Sequence, residues 1–454
     1  MFNKELFILA HQMGELSFYP TYRNLIKNQY RSSFDLKIEQ EKKLRRMIFF
    51  AYESVPYYHK LFKELKIHPA DVRNIEDLQK IPVLTKELIK QHWDDLKPTN
   101  LAKMKYYHEA TGGSTGTPLQ YRLLKFDRFL SGALLYRGWG YAGYQLGDKM
   151  VFLAGTSLDI GTKSYVVTKA HELARNLRKL SSFDMGEKEM KEYTRLINTF
   201  KPKFIRGYAS SIFFFAQWLE DNDIKIHNPQ AVFTTAEKLF PNMRTIIGRS
   251  FGCDVFDAYG LNDGGLSAYE CPEQSGLHID TERSIMEFVG SNGEQIEEGE
   301  GRIVATSLHN CAFPFIRYIT GDLGSVTSDM CPCGRGSKLL SNISGREKEF
   351  LITPLGQYVH GAALFNLIFN TLENTKYRNV VNTIKEFQIV QKKKDMLEIR
   401  IICDGEISAE VLSYIRSAIE NRFSGWTIEF RFVDKIDRSR AGKYKFIINE
   451  MMNG

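Results

Sequence analysis

Residues 111–119, TGGSTGTPL, lie between two runs with strand character and form a loop dense in small and hydroxyl-bearing residues. Gly112, Gly113 and Gly116 let the backbone turn its N–H groups toward an anion, while Thr111, Ser114, Thr115 and Thr117 add hydroxyl donors. That is a chemistry for holding phosphate. It is not a Walker A loop, whose GxxxxGK[ST] pattern needs a Lys to reach the terminal phosphates, because no Lys stands between Thr111 and Lys125. The same composition serves an ordinary turn, so the loop takes its weight from its surroundings.

Downstream, helical and strand patterns alternate. A helix is expected over 126–141, a strand over 149–154, a helix over 188–200, a strand over 204–206, a helix over 212–221, a strand over 231–234, a helix over 241–251 and a strand over 255–258. Such alternation predicts an α/β domain with largely parallel pairing, in which ligands sit where strands end and loops begin. Polar clusters fall at those ends: Thr235, Ala236 and Glu237 after one strand, and Tyr259, Gly260, Leu261, Asn262 and Asp263 after another. An aromatic, a glycine and an acid together offer a flat face for a base, room for close approach and a carboxylate for a divalent cation. A third run, 314–319, leads into Thr320, Gly321 and Asp322, where the carboxylate could accept two hydrogen bonds from a ribose diol.

Residues 1 to about 100 read as mainly helical, with Pro56 breaking a helix over 34–52, and with Lys42, Lys43, Arg45 and Arg46 as a solvated face. From Ser344 the texture changes. GREKEFLITPLG is charged, and the residues beyond it suggest a small α+β domain: a hairpin of 387–390 with 397–402, a helix over 409–421 and a strand over 427–432. With the boundary near Lys348, the chain divides into a large multi-subdomain N-terminal domain, 1–347, and a small C-terminal domain, 348–454. Near the end, DRSRAGKYKFI carries Arg438, Arg440, Lys443 and Lys445, which in isolation read as a solvated basic tail.

The balance of 61 Lys and Arg against 54 Asp and Glu leaves +7, which suits anionic small molecules and is too mild to imply nucleic acid. The apolar patch at Leu6 to Ala10 is too short to span a membrane and no signal-peptide pattern follows it, so a cytoplasmic protein is expected. Its six cysteines are then thiols or metal ligands. Cys271 and His278 stand in ECPEQSGLH, and Cys331 and Cys333 in CPCG; these four could close a tetrahedral Zn²⁺ site, although C-x-C is tighter than the common C-x2-C. The alternative is reduced surface thiols.

The ordered set TGGSTGTPL, TTAEKL, YGLND, YITGDLG, GREKE and RSRAGKYK resembles the adenylate-forming superfamily of acyl-CoA ligases, luciferases and adenylation domains. SVPYYHKLF, IPVLTKELI and CPCGRG resemble most its phenylacetate–CoA ligase-related branch, including the CapK-type proteins associated with capsular polysaccharide synthesis. The resemblance implies a large adenylate-forming domain with a small mobile lid, and a reaction in two halves. A carboxylate attacks the α-phosphate of ATP to give an acyl-adenylate and pyrophosphate, and a thiol, usually of coenzyme A, then takes the acyl group.

Carried onto this sequence, the resemblance gives Thr111 to Thr117 the β- and γ-phosphates and gives Thr235, Ala236 and Glu237 the adenine pocket. Tyr259 would stack on adenine beside Gly260, Asn262 would touch the α-phosphate, Asp263 would hold Mg²⁺, and Asp322, supported by Arg346, would bind the ribose. Lys348 falls at the hinge, and Lys443 would bridge the acyl carboxylate and the α-phosphate. Two departures stand out: Asn262 and Asp263 replace the family's Thr and Glu, and no Arg or Lys lies between Gly324 and Val326. The acid pocket is expected around 136–141, 206–211 and Ala258, with Arg137 or Arg206 either pairing a second carboxylate or anchoring a helix. Two other functions fit the same motifs: acyl transfer to an amine or hydroxyl in surface polysaccharide synthesis, and an inactive nucleotide-binding, zinc-stabilised interaction protein.

Overall fold

The computed structural model describes residues 2–111, 119–155, 165–183, 185–346 and, apart from 357, 361–363, 365–366, 369–370, 373–374, 382 and 440–441, residues 350–452. These fall into two compact units, one reaching Ile343 and the other beginning at Ser344.

The larger unit opens with helices α1 (Phe2–Gly14), α2 (Phe18–Asn28), α3 (Ser33–Ser54), α4 (Pro56–Glu64) and α5 (Lys86–Gln91). Helix α3 starts where the Ser32 hydroxyl accepts the Asp35 N–H, and α4 starts on Pro56, whose missing N–H costs nothing at a first turn. Their apolar stripes, Leu44, Ile48 and Ala51 with Tyr58 and Phe62, join one core with Ile303, Phe313 and Tyr318. Lys43 departs from the solvated face expected of it, since its ammonium donates to the Glu282 carbonyl at 3.0 Å.

Strands β1 (Tyr106–Ala110) and β2 (Gln120–Leu124) form a hairpin, and α6 (Lys125–Gly140) follows directly. Next comes a parallel sheet of β3 (Met150–Ala154), β4 (Leu177–Ser181), β5 (Phe204–Tyr208), β6 (Ala231–Thr235) and β7 (Asp254–Phe256), in the order β4-β3-β5-β6-β7. Helices α7 (Tyr165–Ala174), α8 (Glu187–Phe200), α9 (Ala209–Asp221) and α10 (Pro241–Phe251) connect its strands. Met243, Ile247 and Phe251 make one buried stripe of α10, which stops at Gly252 in the left-handed region at φ 63°. The α7–β4 unit was not anticipated. Its strand, LRKLS, is an edge strand with two half-buried cations, so it carries no apolar run to betray it.

The expected parallel pairing holds for this sheet alone. A seven-stranded sheet, antiparallel in its described pairings, follows: β8 (Ala258–Gly260), β9 (Ser267–Glu270), β10 (Leu277–Ile279), β11 (Ser284–Val289), β12 (Gly299–Ser307), β13 (Tyr318–Thr327) and β14 (Leu339–Arg346), in the order β11-β12-β13-β14-β10-β9-β8. Two placements change as a result. Tyr259 and Gly260 lie in a strand of this second sheet, and Thr320, Gly321 and Asp322 lie inside β13 instead of after a strand.

The smaller unit holds the hairpin β15 (Phe350–Ile352) with β16 (Tyr358–His360), then β17 (Ile384–Lys393), β18 (Met396–Cys403), α11 (Ala409–Arg422), β19 (Thr427–Phe432) and β20 (Ile447–Asn449). Strands β17 and β18 pair antiparallel, and β19 and β20 join parallel on either side. The whole is an α/β fold with a small α+β C-terminal unit.

Candidate active site

Thr111 closes the neck of the glycine loop: its N–H donates to the Leu119 carbonyl and its Oγ1 accepts the Leu119 N–H, both at 2.9 Å. Gly112, Gly113, Ser114, Thr115, Gly116 and Thr117 lie outside the described residues, as does Lys348.

At the end of β6, Thr235 leads into Ala236 at φ 69°, a left-handed conformation that a residue with a Cβ rarely adopts. That turn carries Glu237 back to α9, where its Oε2 accepts the Ser210 N–H at 3.0 Å. The adjoining strand end is braced by groups that no sequence motif marks. Thr234 donates to Asp257 at 2.6 Å, Asp257 donates its N–H to Glu270 at 2.6 Å, and Arg244 holds both oxygens of Glu270 at 2.8 and 3.0 Å. Burial, then the neighbouring Glu270, pushes the Asp257 carboxyl up to about 6.

Asp322 owes its position to a bulge. Arg302 pairs with Leu323 while Val304 pairs with Ile319, so three residues, 320–322, stand opposite Ile303. Thr320 donates to the Ile303 carbonyl at 2.8 Å and accepts the Asp322 N–H at 3.1 Å, and Gly321 takes the left-handed φ of 82° that the bulge needs. Asp322, only 9% exposed, then accepts the Tyr259 hydroxyl at 2.9 Å. Beside them Asp263 accepts a hydrogen bond at 2.9 Å from the buried Tyr318 hydroxyl. Burial raises the Asp263 carboxyl; the Tyr318 bond and Lys86 oppose that shift. Asn262 accepts from Arg283 at 3.4 Å, and Arg283 is itself held by the buried carboxylate of Asp127 at 2.8 and 3.0 Å. Residues from β8, β13 and the turn after β8 thus converge.

Arg346 ends β14 and Lys443 lies in the smaller unit, both half-buried. The Lys443 carbonyl accepts the Ser439 N–H at 2.8 Å, and the Lys443 N–H donates to the Ser439 hydroxyl at 3.0 Å. Next to it the Tyr444 hydroxyl donates to the Phe387 carbonyl at 2.6 Å. Arg438 pairs with Glu386 at 2.8 Å and stacks on the Tyr444 ring at 4.4 Å, so this part of the segment is anchored and not a solvated tail.

Cys271, His278, Cys331 and Cys333 come together: their ligand atoms all lie within 4.8 Å of one another. The Cys271 and Cys331 sulfurs are 3.5 Å apart, and the Cys333 sulfur is 3.3 Å from His278 Nε2. Ligands about 2.0–2.3 Å from a tetrahedral ion are separated by about 3.5–3.8 Å, so the set fits zinc with small adjustments. Ser337 lies 3.2 Å from His278 Nδ1, the kind of partner that orients a metal-binding imidazole. The two candidate pocket arginines also part company. Arg137 is paired with the buried carboxylate of Asp280 and the half-buried one of Glu282, whereas Arg206 lies over the Trp139 ring.

The model of the CapK C-terminal domain family matches residues 351–450. Protein CapK of Staphylococcus aureus is 24% identical over 92% of this chain and 90% of its own length. A phenylacetate–coenzyme A ligase of Thermus thermophilus is 26% identical over 83% of this chain and 81% of its own. A 2-hydroxyisobutyryl-CoA ligase in the postadenylation state, in complex with R3-HIB-AMP, superposes with a TM-score of 0.73 at 18% identity, covering 93% of this chain and 91% of that one. The fold is that of adenylate-forming CoA ligases. Among the described residues, no helix is long and apolar enough to cross a membrane.

Proposed function

We infer that this chain, a homologue of CapK and of the phenylacetate–CoA ligases, is an AMP-forming ligase that activates a carboxylic acid with ATP and passes the acyl group to coenzyme A. The observation that carries the reading is the convergence of Tyr259, Asp263 and Asp322 through Tyr259–Asp322 and Tyr318–Asp263 hydrogen bonds. A stacking ring, a cation ligand and a ribose acceptor are the parts a nucleotide site needs, and they come from sequence positions about sixty residues apart.

In this reading Tyr259 stacks on adenine with Thr235, Ala236 and Glu237 around it, Asp322 binds the ribose hydroxyls with Arg346 in support, and Asn262 meets the α-phosphate. Asp263 would hold Mg²⁺, which when bound neutralises phosphate charge. The loop of Thr111 to Thr117 holds the β- and γ-phosphates. Lys443 neutralises charge as carboxylate oxygen closes on phosphorus, so catalysis rests on positioning and electrostatics. The large domain spans 1–347 and the small one 348–454, hinged at Lys348. Cys271, His278, Cys331 and Cys333 hold a structural zinc with no open position.

A second acceptor has a place because residues 351–450 match the CapK C-terminal domain model. In that version an amine or hydroxyl of a surface-polysaccharide precursor replaces the thiol. Pyrophosphate release with ATP and Mg²⁺ over a panel of acids, with and without coenzyme A, tests both. Acid-dependent release that coenzyme A accelerates supports the first version, release indifferent to coenzyme A supports the second, and the absence of release with every acid in both conditions points instead to an inactive nucleotide-binding fold.

A further inference from the structure

Phe152, Arg206 and Phe233 stand in register on β3, β5 and β6, so the three side chains share one face of the parallel sheet. Trp139 of α6 lies over that face: the Arg206 guanidinium carbon is 4.9 Å from the Trp139 ring centroid and 5.5 Å from that of Phe152, and Trp139 stacks on Phe233 at 5.7 Å. A guanidinium in the middle of an apolar row is a costly choice, because arginine brings five N–H donors and a fixed charge.

Beyond these aromatic faces, no carboxylate among the described residues pairs with that charge. Arg206 makes no ion pair or hydrogen bond there, and the titratable groups around it are the hydroxyls of Tyr136, Tyr208 and Tyr269. Desolvation pushes its pKa down to about 10, although the residue as a whole is only half-buried and keeps part of its surface open to solvent. Trp139, 2% exposed, adds a buried indole N–H with no acceptor among the described residues. Asp280 and Glu282 pair instead with Arg137, on the same helix as Trp139. The surroundings of Arg206 also lie beside the candidate nucleotide site, because Tyr269, one of those tyrosines, pairs with Ala258, next to Tyr259, in the β8–β9 ladder.

We propose that Arg206 receives a second carboxylate of the acid, distal to the one that reacts, so that the preferred substrate is a dicarboxylic acid whose body lies against Trp139 and Phe152. The proposal rests on the ligase reading above. A forked guanidinium matches a carboxylate bidentately, and aromatic walls exclude the water that would otherwise screen the pair.

The test compares α,ω-dicarboxylates and aryl dicarboxylates with monocarboxylates of equal length, in wild type, Arg206→Met and Arg206→Lys. Two readouts are used: pyrophosphate release with ATP, and calorimetric binding of the acid with ATP omitted. At least one diacid should outperform its monoacid partner. Arg206→Met should lower kcat/KM for that diacid roughly 10- to 150-fold more than for the matching monoacid, and Arg206→Lys should fall between. Equal losses for both acids, or no diacid preferred in turnover or binding, overturns the role given to Arg206 while monoacid turnover leaves the ligase reading standing. Diacid binding that Arg206→Met abolishes, without pyrophosphate release from any acid, keeps the anion site and overturns the ligase reading.

Discussion

Replacing Asp322 with Ala separates a nucleotide role from a purely structural one. The carboxylate is 9% exposed, accepts the Tyr259 hydroxyl at 2.9 Å, and sits on a bulge that Gly321 and Thr320 hold without its help. Two losses follow, of different size. In the free protein the Tyr259 hydroxyl forfeits one acceptor, worth about 1 kcal/mol, and the melting temperature should fall by only about 2–4 °C. In the complex, the two hydrogen bonds from the ribose diol to the carboxylate vanish, together worth on the order of 1.5–3 kcal/mol, so ATP should bind roughly 12- to 160-fold more weakly. Isothermal titration calorimetry with ATP and with 2′,3′-dideoxy-ATP reads this directly. Wild type should discriminate between the two nucleotides, and Asp322→Ala should not. If Asp322→Ala binds ATP normally, or still prefers it over the dideoxy form, the carboxylate faces something other than ribose.

Lys443→Ala should slow adenylation by about 10²- to 10³-fold while ATP binding persists, and single-turnover adenylation at a near-normal rate would remove Lys443 from the chemistry. Metal analysis should find about one zinc per chain, lost together with thermal stability in Cys331→Ser; wild-type protein free of metal ends the zinc proposal. His11, bonded to the Phe7 carbonyl at 2.8 Å and lying 3.0 Å from the Tyr136 hydroxyl, is kept neutral by burial, which pushes it from 6.5 down to about 4. Below about pH 6.5 the unfolded chain gains a proton that the folded one refuses, so stability should fall toward pH 4 by on the order of 3 kcal/mol from this residue. His309 is pushed down by burial in the same way and adds to the slope. Denaturation of His11→Gln should show a shallower pH dependence than wild type; an identical slope would clear His11.

The parallel half of the large unit was legible because buried strands such as 231–235 read as short apolar runs, with amphipathic helices such as Pro241–Phe251 between them. The antiparallel sheet was not, since it is built from strands of very different length, three residues in β10 and ten in β13, whose partners are set by tertiary contacts. Motif residues could be named singly, but their mutual placement could not: Tyr259 and Asp322 meet only because β8 and β13 belong to one sheet and because a three-residue bulge turns the carboxylate inward. Arg137 and Arg206 look alike in sequence. They separate only when Asp280 and Glu282 prove to claim one and aromatic rings surround the other.

The central claim is that carboxylate oxygen attacks the α-phosphorus of ATP, and isotope transfer tests it most directly. The acid found active in pyrophosphate release is supplied with both carboxylate oxygens as ¹⁸O, and the products are analysed by mass spectrometry. One ¹⁸O atom should appear in AMP and none in inorganic phosphate or pyrophosphate. Label in inorganic phosphate alongside ADP, or unlabelled AMP, would contradict an adenylate intermediate and with it the account of this site.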